Sequence, residues 1–191
     1  MHALRIRRAI LVGHSWGGST ALDYTLSHPD MVPSLVVCAS GPKGRPDPSG
    51  DLRDTWEKAM ALHKTGDMEA ALAIEAMLWV DGPRTRSSPR LAVVRNQVAS
   101  MSRAIAPEAR WVSKIVPQPP AIQQLNAVCV PTLSIVGDAD QSWIIDGAKL
   151  LAEGIPGCEF VIVPDCAHML PMEQPELFTR LIMEFLAARN L

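Results

Sequence analysis

The sequence predicts an α/β fold: a three-layer sandwich with a mostly parallel sheet, interrupted by a helical insert. Three observations carry this expectation. Short apolar runs rich in β-branched residues alternate with helix-like stretches at both ends of the chain, the pattern of a parallel sheet with covered faces. Between those ends the chain changes character to amphipathic helices. Turn-rich segments, Ser40–Gly50 and Val116–Pro120, bracket the change. The expected division is a first core part (1–44), a helical insert (45–120) and a second core part (121–191), with the insert lying over the strand ends as a lid.

Each element has a local reason. Ala9–Val12 is wholly apolar and suits a strand buried on both faces. Gly17 to Ser27 reads as a helix that stops at His28, because Pro29 disfavours helical geometry in the residue before it. Leu35–Ala39 is a second buried strand. In the insert, Asp51 caps a helix carrying Leu52, Trp56, Ala59 and Met60, Gly66 ends it, and Asp67 caps the next one through to Trp79. Asp81–Pro83 breaks that helix, and Ser88–Pro89 opens another, with Leu91, Val94, Val98, Met101 and Ile105 on one face. Strand and helix then alternate again: Pro131–Val136, Ile144–Ala152, Cys158–Val163 and Pro175–Ala187, the last with Leu177, Leu181 and Phe185 facing inward.

The chain of 191 residues is large enough for one domain with a real core. It is 48% hydrophobic and 20% charged, an ordinary globular composition. A formal net charge of -2 gives no basic excess for nucleic acid or an anionic membrane surface. No apolar stretch is long enough to span a bilayer. The four cysteines form no CxxC pair and no zinc-like spacing, so reduced, cytoplasmic thiols are expected, with Cys38, Cys129 and Cys158 buried beside apolar runs. His and carboxylates do not cluster at ligand spacing, so neither a metal nor a cofactor is expected.

The chemistry concentrates at Gly13-His14-Ser15-Trp16-Gly17, a G-x-S-x-G pentapeptide between a strand and a helix. A tight turn there forces the serine backbone into a strained region, needs flanking residues with almost no side chain, and lifts the hydroxyl clear of the sheet. The helix start, with its free N–H groups, points at the same place, and the Trp16 N–H becomes a candidate oxyanion donor. Serine needs a base. Of five histidines, His2 is terminal, His14 lies inside the turn, His28 precedes a proline and His63 sits near the end of an insert helix. His168 alone follows the last strand on a loop before the final helix, where an open α/β sheet places its site. For the orienting carboxylate, Asp138 and Asp140 both follow the strand at Thr132–Val136.

Together "VGHSWGG", "VPTLSIVGDAD" and "PDCAHMLPMEQPELF" resemble the α/β-hydrolase fold superfamily, in its lid-bearing branch of enol-lactonases, C–C bond hydrolases and small esterases. The resemblance covers nearly the whole chain. It implies a Ser-His-Asp serine hydrolase with Ser15, Asp140 and His168 as catalytic residues, acting without cofactor on a small ester, lactone or activated C–C bond. The choice of Asp140 over Asp138 rests on that resemblance, as do structural roles for Glu173 and Pro175. Members of the family carry several strands before the serine, and a loop among them supplies a second oxyanion donor. Residues 1–14 have no room for these, so the resemblance implies an N-terminally truncated version of the fold with reduced turnover. Met1 then fits an internal methionine, a misplaced start or a truncated product. Ala9–Val12 would become an apolar edge open to pairing with a second copy. The competing expectations are an inactive remnant that binds a ligand or oligomerises, and an acyltransferase or perhydrolase with the same three residues. Trp56, Met60, Met77, Trp79, Trp111 and the Leu/Val face would either give the insert an apolar pocket or simply pack its helices against the core.

Overall fold

The computed structural model describes residues 5–84, 89–105 and 116–191; the expected Ser88 cap and Trp111 lie outside them. Four strands, β1 (Leu11–His14), β2 (Leu35–Cys38), β3 (Thr132–Gly137) and β4 (Glu159–Val163), form one parallel sheet in the order β1-β2-β3-β4. The registers run Leu11↔Leu35, Leu35↔Thr132 and Ile135↔Val161. Spatial order equals chain order, so every connection is a crossover carrying helix: α1 (Trp16–Ser27) after β1, the insert after β2 and α5 (Ser142–Gly154) after β3. A short α6 (Leu170–Glu173) and α7 (Pro175–Ala187) follow β4.

The layers follow from the period of two along β2, all four residues of which are buried. Leu35 and Val37 pack with Leu22 of α1 and with Leu125 and Val128. Val36 and Cys38 point the other way, into a cluster with Ile135, Leu170 and Phe185 of α7. Helix layers therefore cover both faces. Leu177 and Leu181 pack on the same cluster as Phe185, as the spacing of α7 predicts.

The first strand differs from expectation. It starts two residues later and runs through Gly13 and His14 into the turn, paired to β2 as far as His14↔Cys38. It forms a sheet edge, as expected, but Val12 is 50% exposed rather than buried on both faces.

In the insert, α2 (Asp51–Thr65) ends at Gly66 with φ +84, and the Asp67 carboxylate accepts from Ala70 N at the start of α3 (Met68–Glu75). Gly50 occupies the cap position expected for Asp51, which instead opens the helix, where its charge still suits the helix dipole. After α3 the helix continues as a wider turn over Ala76–Asp81 and stops at Gly82, φ +59. α4 spans Pro89–Ala104. Leu91 and Val94 are buried against Val80, but Met101 and Ile105 are exposed. The second half of α4 presents polar groups to α3 instead: Ser102 donates to Glu75, and Arg103 pairs with Glu69. Cys129 is exposed, Cys158 partly so, and Cys38 and Cys166 are buried. Cys129 lies ahead of β3 rather than within it, which removes the reason to expect burial.

Candidate active site

The turn after β1 is built by close backbone approach. Ser15 has φ +53 and ψ −123, a conformation costly for any residue with a Cβ. Its N–H donates to Cys38 O at 2.8 Å, and its carbonyl accepts from Gly18 N at 3.0 Å. A Cβ on Gly13 would sit 2.5 Å from Gly17 O, and one on Gly18 would sit 2.9 Å from Ser40 Cβ. Gly17 meets nothing within 4 Å. The steric demand therefore falls on Gly13 and Gly18, not on both glycines of the pentapeptide. Trp16 is the first residue of α1, so its N–H is one of those the helix ladder leaves unused.

The structure brings Ser15, His168 and Asp140 into one hydrogen-bonded line. His168 Nδ1 lies 2.9 Å from Asp140 Oδ2, and His168 Nε2 lies 2.9 Å from Ser15 Oγ. A carboxylate only accepts, so the imidazole proton sits on Nδ1 and leaves the Nε2 lone pair for the serine hydroxyl. Both His168 and Asp140 are buried. Asp140 Oδ1 also accepts from Gln141 N at 2.7 Å, which fixes the carboxylate plane. Asp138 is exposed, and its N–H holds the loop by donating to Val163 O.

Neighbouring groups hold the imidazole. His14 Nε2 donates to His168 O at 2.7 Å, and the two rings lie 5.0 Å apart. Burial, with a smaller effect from His168, pushes His14 down to about 4, so it stays neutral and keeps its proton for that carbonyl. Trp79, from the insert, packs its ring 4.8 Å from His168 and 5.5 Å from Trp56.

Glu173 is fully buried and does more than begin a helix. Oε1 accepts from Ala167 N, next to His168, and Oε2 accepts from Arg84 Nη1, both at 2.8 Å. Arg84 also donates to Asp81 O and Asp165 O, while Arg90 reaches Asp165. The insert thus docks directly onto the loop that bears His168. A Cβ on Gly82 would lie 2.0 Å from Ala139 O, so the insert also touches the loop that bears Asp140. The roles of Arg84 and Trp79 were not readable along the chain, since their partners lie far away in sequence.

A cavity of about 440 Å³ opens beside Ser15, walled by Trp16, Ala39, Gly41, Arg45, Trp143 and Ile144. Its described walls come from the loop after β2, from α1, from α5 and from Val116 at the far end of the insert. None of the described insert residues Trp56, Met60, Met77 and Trp79 lines it, which favours the expectation that they pack helix against core. Trp56 and Trp79 spend their surface on each other and on His168. The described residues contain no group of three His, Cys, Asp or Glu placed to hold a metal, and no helix long and apolar enough to cross a membrane.

A family profile described as alpha/beta hydrolase fold matches residues 1–175. A monoacylglycerol lipase of Xenopus laevis is 26% identical over 191 residues, covering 93% of this chain and 54% of the lipase. A 2-hydroxymuconate semialdehyde hydrolase of Pseudomonas sp. strain CF600 is 29% identical over 195 residues, covering 98% of this chain and 65% of that enzyme. The chain therefore spans about half to two thirds of the length of these relatives. The crystal structure of the enol-lactonase from Burkholderia xenovorans LB400 superposes with a TM-score of 0.75 at 22% identity, covering 98% of this chain and 68% of that one.

Proposed function

The chain belongs to the alpha/beta hydrolase fold family, and on that footing we propose that it is a serine hydrolase acting on a small ester, lactone or activated C–C bond. The observation that carries the reading is the unbroken line Ser15 Oγ–His168 Nε2 and His168 Nδ1–Asp140 Oδ2, each link 2.9 Å. In the proposed reaction, Ser15 Oγ attacks the carbonyl carbon while its proton moves to His168 Nε2. Asp140 holds the imidazole and stabilises the imidazolium. The Trp16 N–H donates to the developing oxyanion. His168 then protonates the leaving group as the tetrahedral intermediate collapses to an acyl-enzyme. Water then attacks the acyl carbon and passes a proton to His168 Nε2; the Ser15 Oγ–acyl bond breaks, His168 returns the proton to Ser15 Oγ, and the acid is released. The insert works as a lid whose Trp79 keeps water from the imidazole face, and four free cysteines suit a reducing, cytoplasmic setting.

The test uses a serine-directed phosphonate and small chromogenic esters. Labelled mass on Ser15 is expected, with Ser15→Ala abolishing both labelling and turnover. Asp140→Asn should lower kcat by roughly 10⁴-fold, the cost of the wrong imidazole tautomer in a comparable site. Asp138→Asn should stay within about threefold, since that carboxylate is exposed and away from His168. Equal turnover in wild type and Ser15→Ala would end the proposal. A second reading, a non-catalytic module that binds a ligand or pairs with a second copy, draws support from the edge position of β1 with Val12 half exposed. It predicts no labelling of Ser15, together with a stable oligomer on sizing.

A further inference from the structure

We propose that the cavity beside Ser15 takes an acyl group that ends in a carboxylate, and that Arg45 holds this carboxylate. The inference rests on the hydrolase reading and adds to it a substrate class and a specificity residue.

Arg45 lines the same cavity as Ser15. Its guanidinium occupies a berth cleared by two glycines from separate parts of the chain. A Cβ on Gly147 would lie 2.4 Å from Nη1 and 2.7 Å from Cζ, and one on Gly41 would lie 3.1 Å from Cζ. The guanidinium carbon is 3.3 Å from the centroid of the Trp143 ring, and Nη1 donates to Trp143 O at 2.5 Å. Stacking uses the flat faces of a guanidinium and leaves its edge donors for an oxygen ligand. Among the described residues, one bond from that edge is spent on the protein.

Among the described residues the cation has no counter-ion. Among the described residues no carboxylate lies within ion-pair distance of Arg45, whereas the other cation on the wall, Lys43, is paired with Asp23 at 2.7 Å. Burial pushes the Arg45 guanidinium down to about 10, and Asp146 only partly opposes it. Asp47 also lines the cavity, but it is exposed, has an interaction of its own, and forms no ion pair with Arg45 among the described residues. A desolvated cation in a cleft, held by aromatic and backbone surfaces, is stabilised when an anion arrives and satisfies its free N–H groups. A planar carboxylate matches that edge. The volume of about 440 Å³ suits a short acyl chain between the serine hydroxyl and the guanidinium.

The experiment measures binding rather than turnover, on the full chain carrying Ser15→Ala. Calorimetric titration compares monomethyl glutarate, which carries one free carboxylate, with dimethyl glutarate, which carries none. The monoester should bind roughly 10- to 100-fold more tightly, the range expected for hydrogen bonds to a charged group. Adding Arg45→Gln should bring the ratio of the two constants close to one, and Arg45→Lys should keep part of it. Equal or weaker binding of the monoester in the Ser15→Ala chain overturns the proposal. So does a ratio that Arg45→Gln leaves unchanged, or no monoester binding at all. Should Arg45→Gln melt early, the Arg45→Lys ratio and the parent ratio decide the matter. Phosphonate labelling of Ser15 in the wild-type chain reports separately on the hydrolase reading: a labelled serine with no carboxylate preference removes Arg45 from the site and leaves that reading intact.

Discussion

Replacing Arg84 with Met should destabilise the protein markedly. Glu173, its partner at 2.8 Å, has a side chain with 0% exposure, and Arg84 itself is 11% exposed. Removing one member of a buried pair leaves the other charge in a poor solvent, at a cost of about 3–5 kcal/mol. Two features trim this figure. Ala167 N still donates to Glu173, and Arg90 stands 3.8 Å away as a second cation. A loss of about 3 kcal/mol is therefore expected, which for a chain of this size lowers the melting temperature by roughly 6–12 °C. Glu173→Gln should cost less, about 1–2 kcal/mol, because Arg84 keeps carbonyl partners at Asp81 and Asp165 and the amide oxygen can still accept from Ala167. The decisive comparison is the double variant. Urea denaturation followed by circular dichroism should show the double variant losing at least about 1.5 kcal/mol less than the sum of the single losses, since no charge is then left stranded. Additivity within about 0.5 kcal/mol would show that the two groups do not act as a pair, and the account of how the insert anchors the His168 loop would fail. The rate of Ser15 phosphonylation should fall in Arg84→Met as well, because Glu173 holds the backbone next to the imidazole.

Two further outcomes follow from the geometry. His14 is held near 4 in the folded chain against an ordinary value of 6.5, so below pH 6.5 the unfolded chain binds a proton that the folded one refuses. Stability should accordingly fall as the pH drops from 6.5 towards 4, by on the order of 3 kcal/mol, and His14→Gln should flatten that part of the stability profile measured by urea titration. Gly18→Ala should destabilise by about 2 kcal/mol or more, since its Cβ meets Ser40, Gly13 and Val37 within 3.0 Å. Gly17→Ala, in open space on α1, should instead stabilise by about 0.5–1 kcal/mol; denaturation midpoints that rank the two variants the other way would refute the reading of the turn.

Much of the fold was legible because its signals are local. Pro29 and Gly66 stop helices through their own backbone preferences, Asp67 caps through its own side chain, and the bounds Pro175–Ala187 came directly from spacing and a proline. Ser15 and His168 stood out for a related reason: each follows an apolar run that had to be a strand, and strand ends gather on one edge of a parallel sheet. Errors arose where burial depends on a remote neighbour. Met101 and Ile105 continue a good apolar stripe along α4, yet the surface facing that part of the helix is α3, whose Glu69 and Glu75 select Arg103 and Ser102.

The sequence by itself determined the alternation of strand and helix, the strained turn at Ser15, and a short set of groups able to act with it. Those are properties of a few consecutive residues, so they survive being read along a line. Only the tertiary structure decided that Asp140 rather than Asp138 faces the imidazole, that the insert grips the His168 loop through Arg84 and Glu173, and that Arg45 and Trp143, rather than the described insert aromatics Trp56 and Trp79, wall the cavity. Each of these depends on which atoms lie within about 3 Å across a separation of tens of residues. That distance is set by the packing of whole layers, which no local propensity encodes.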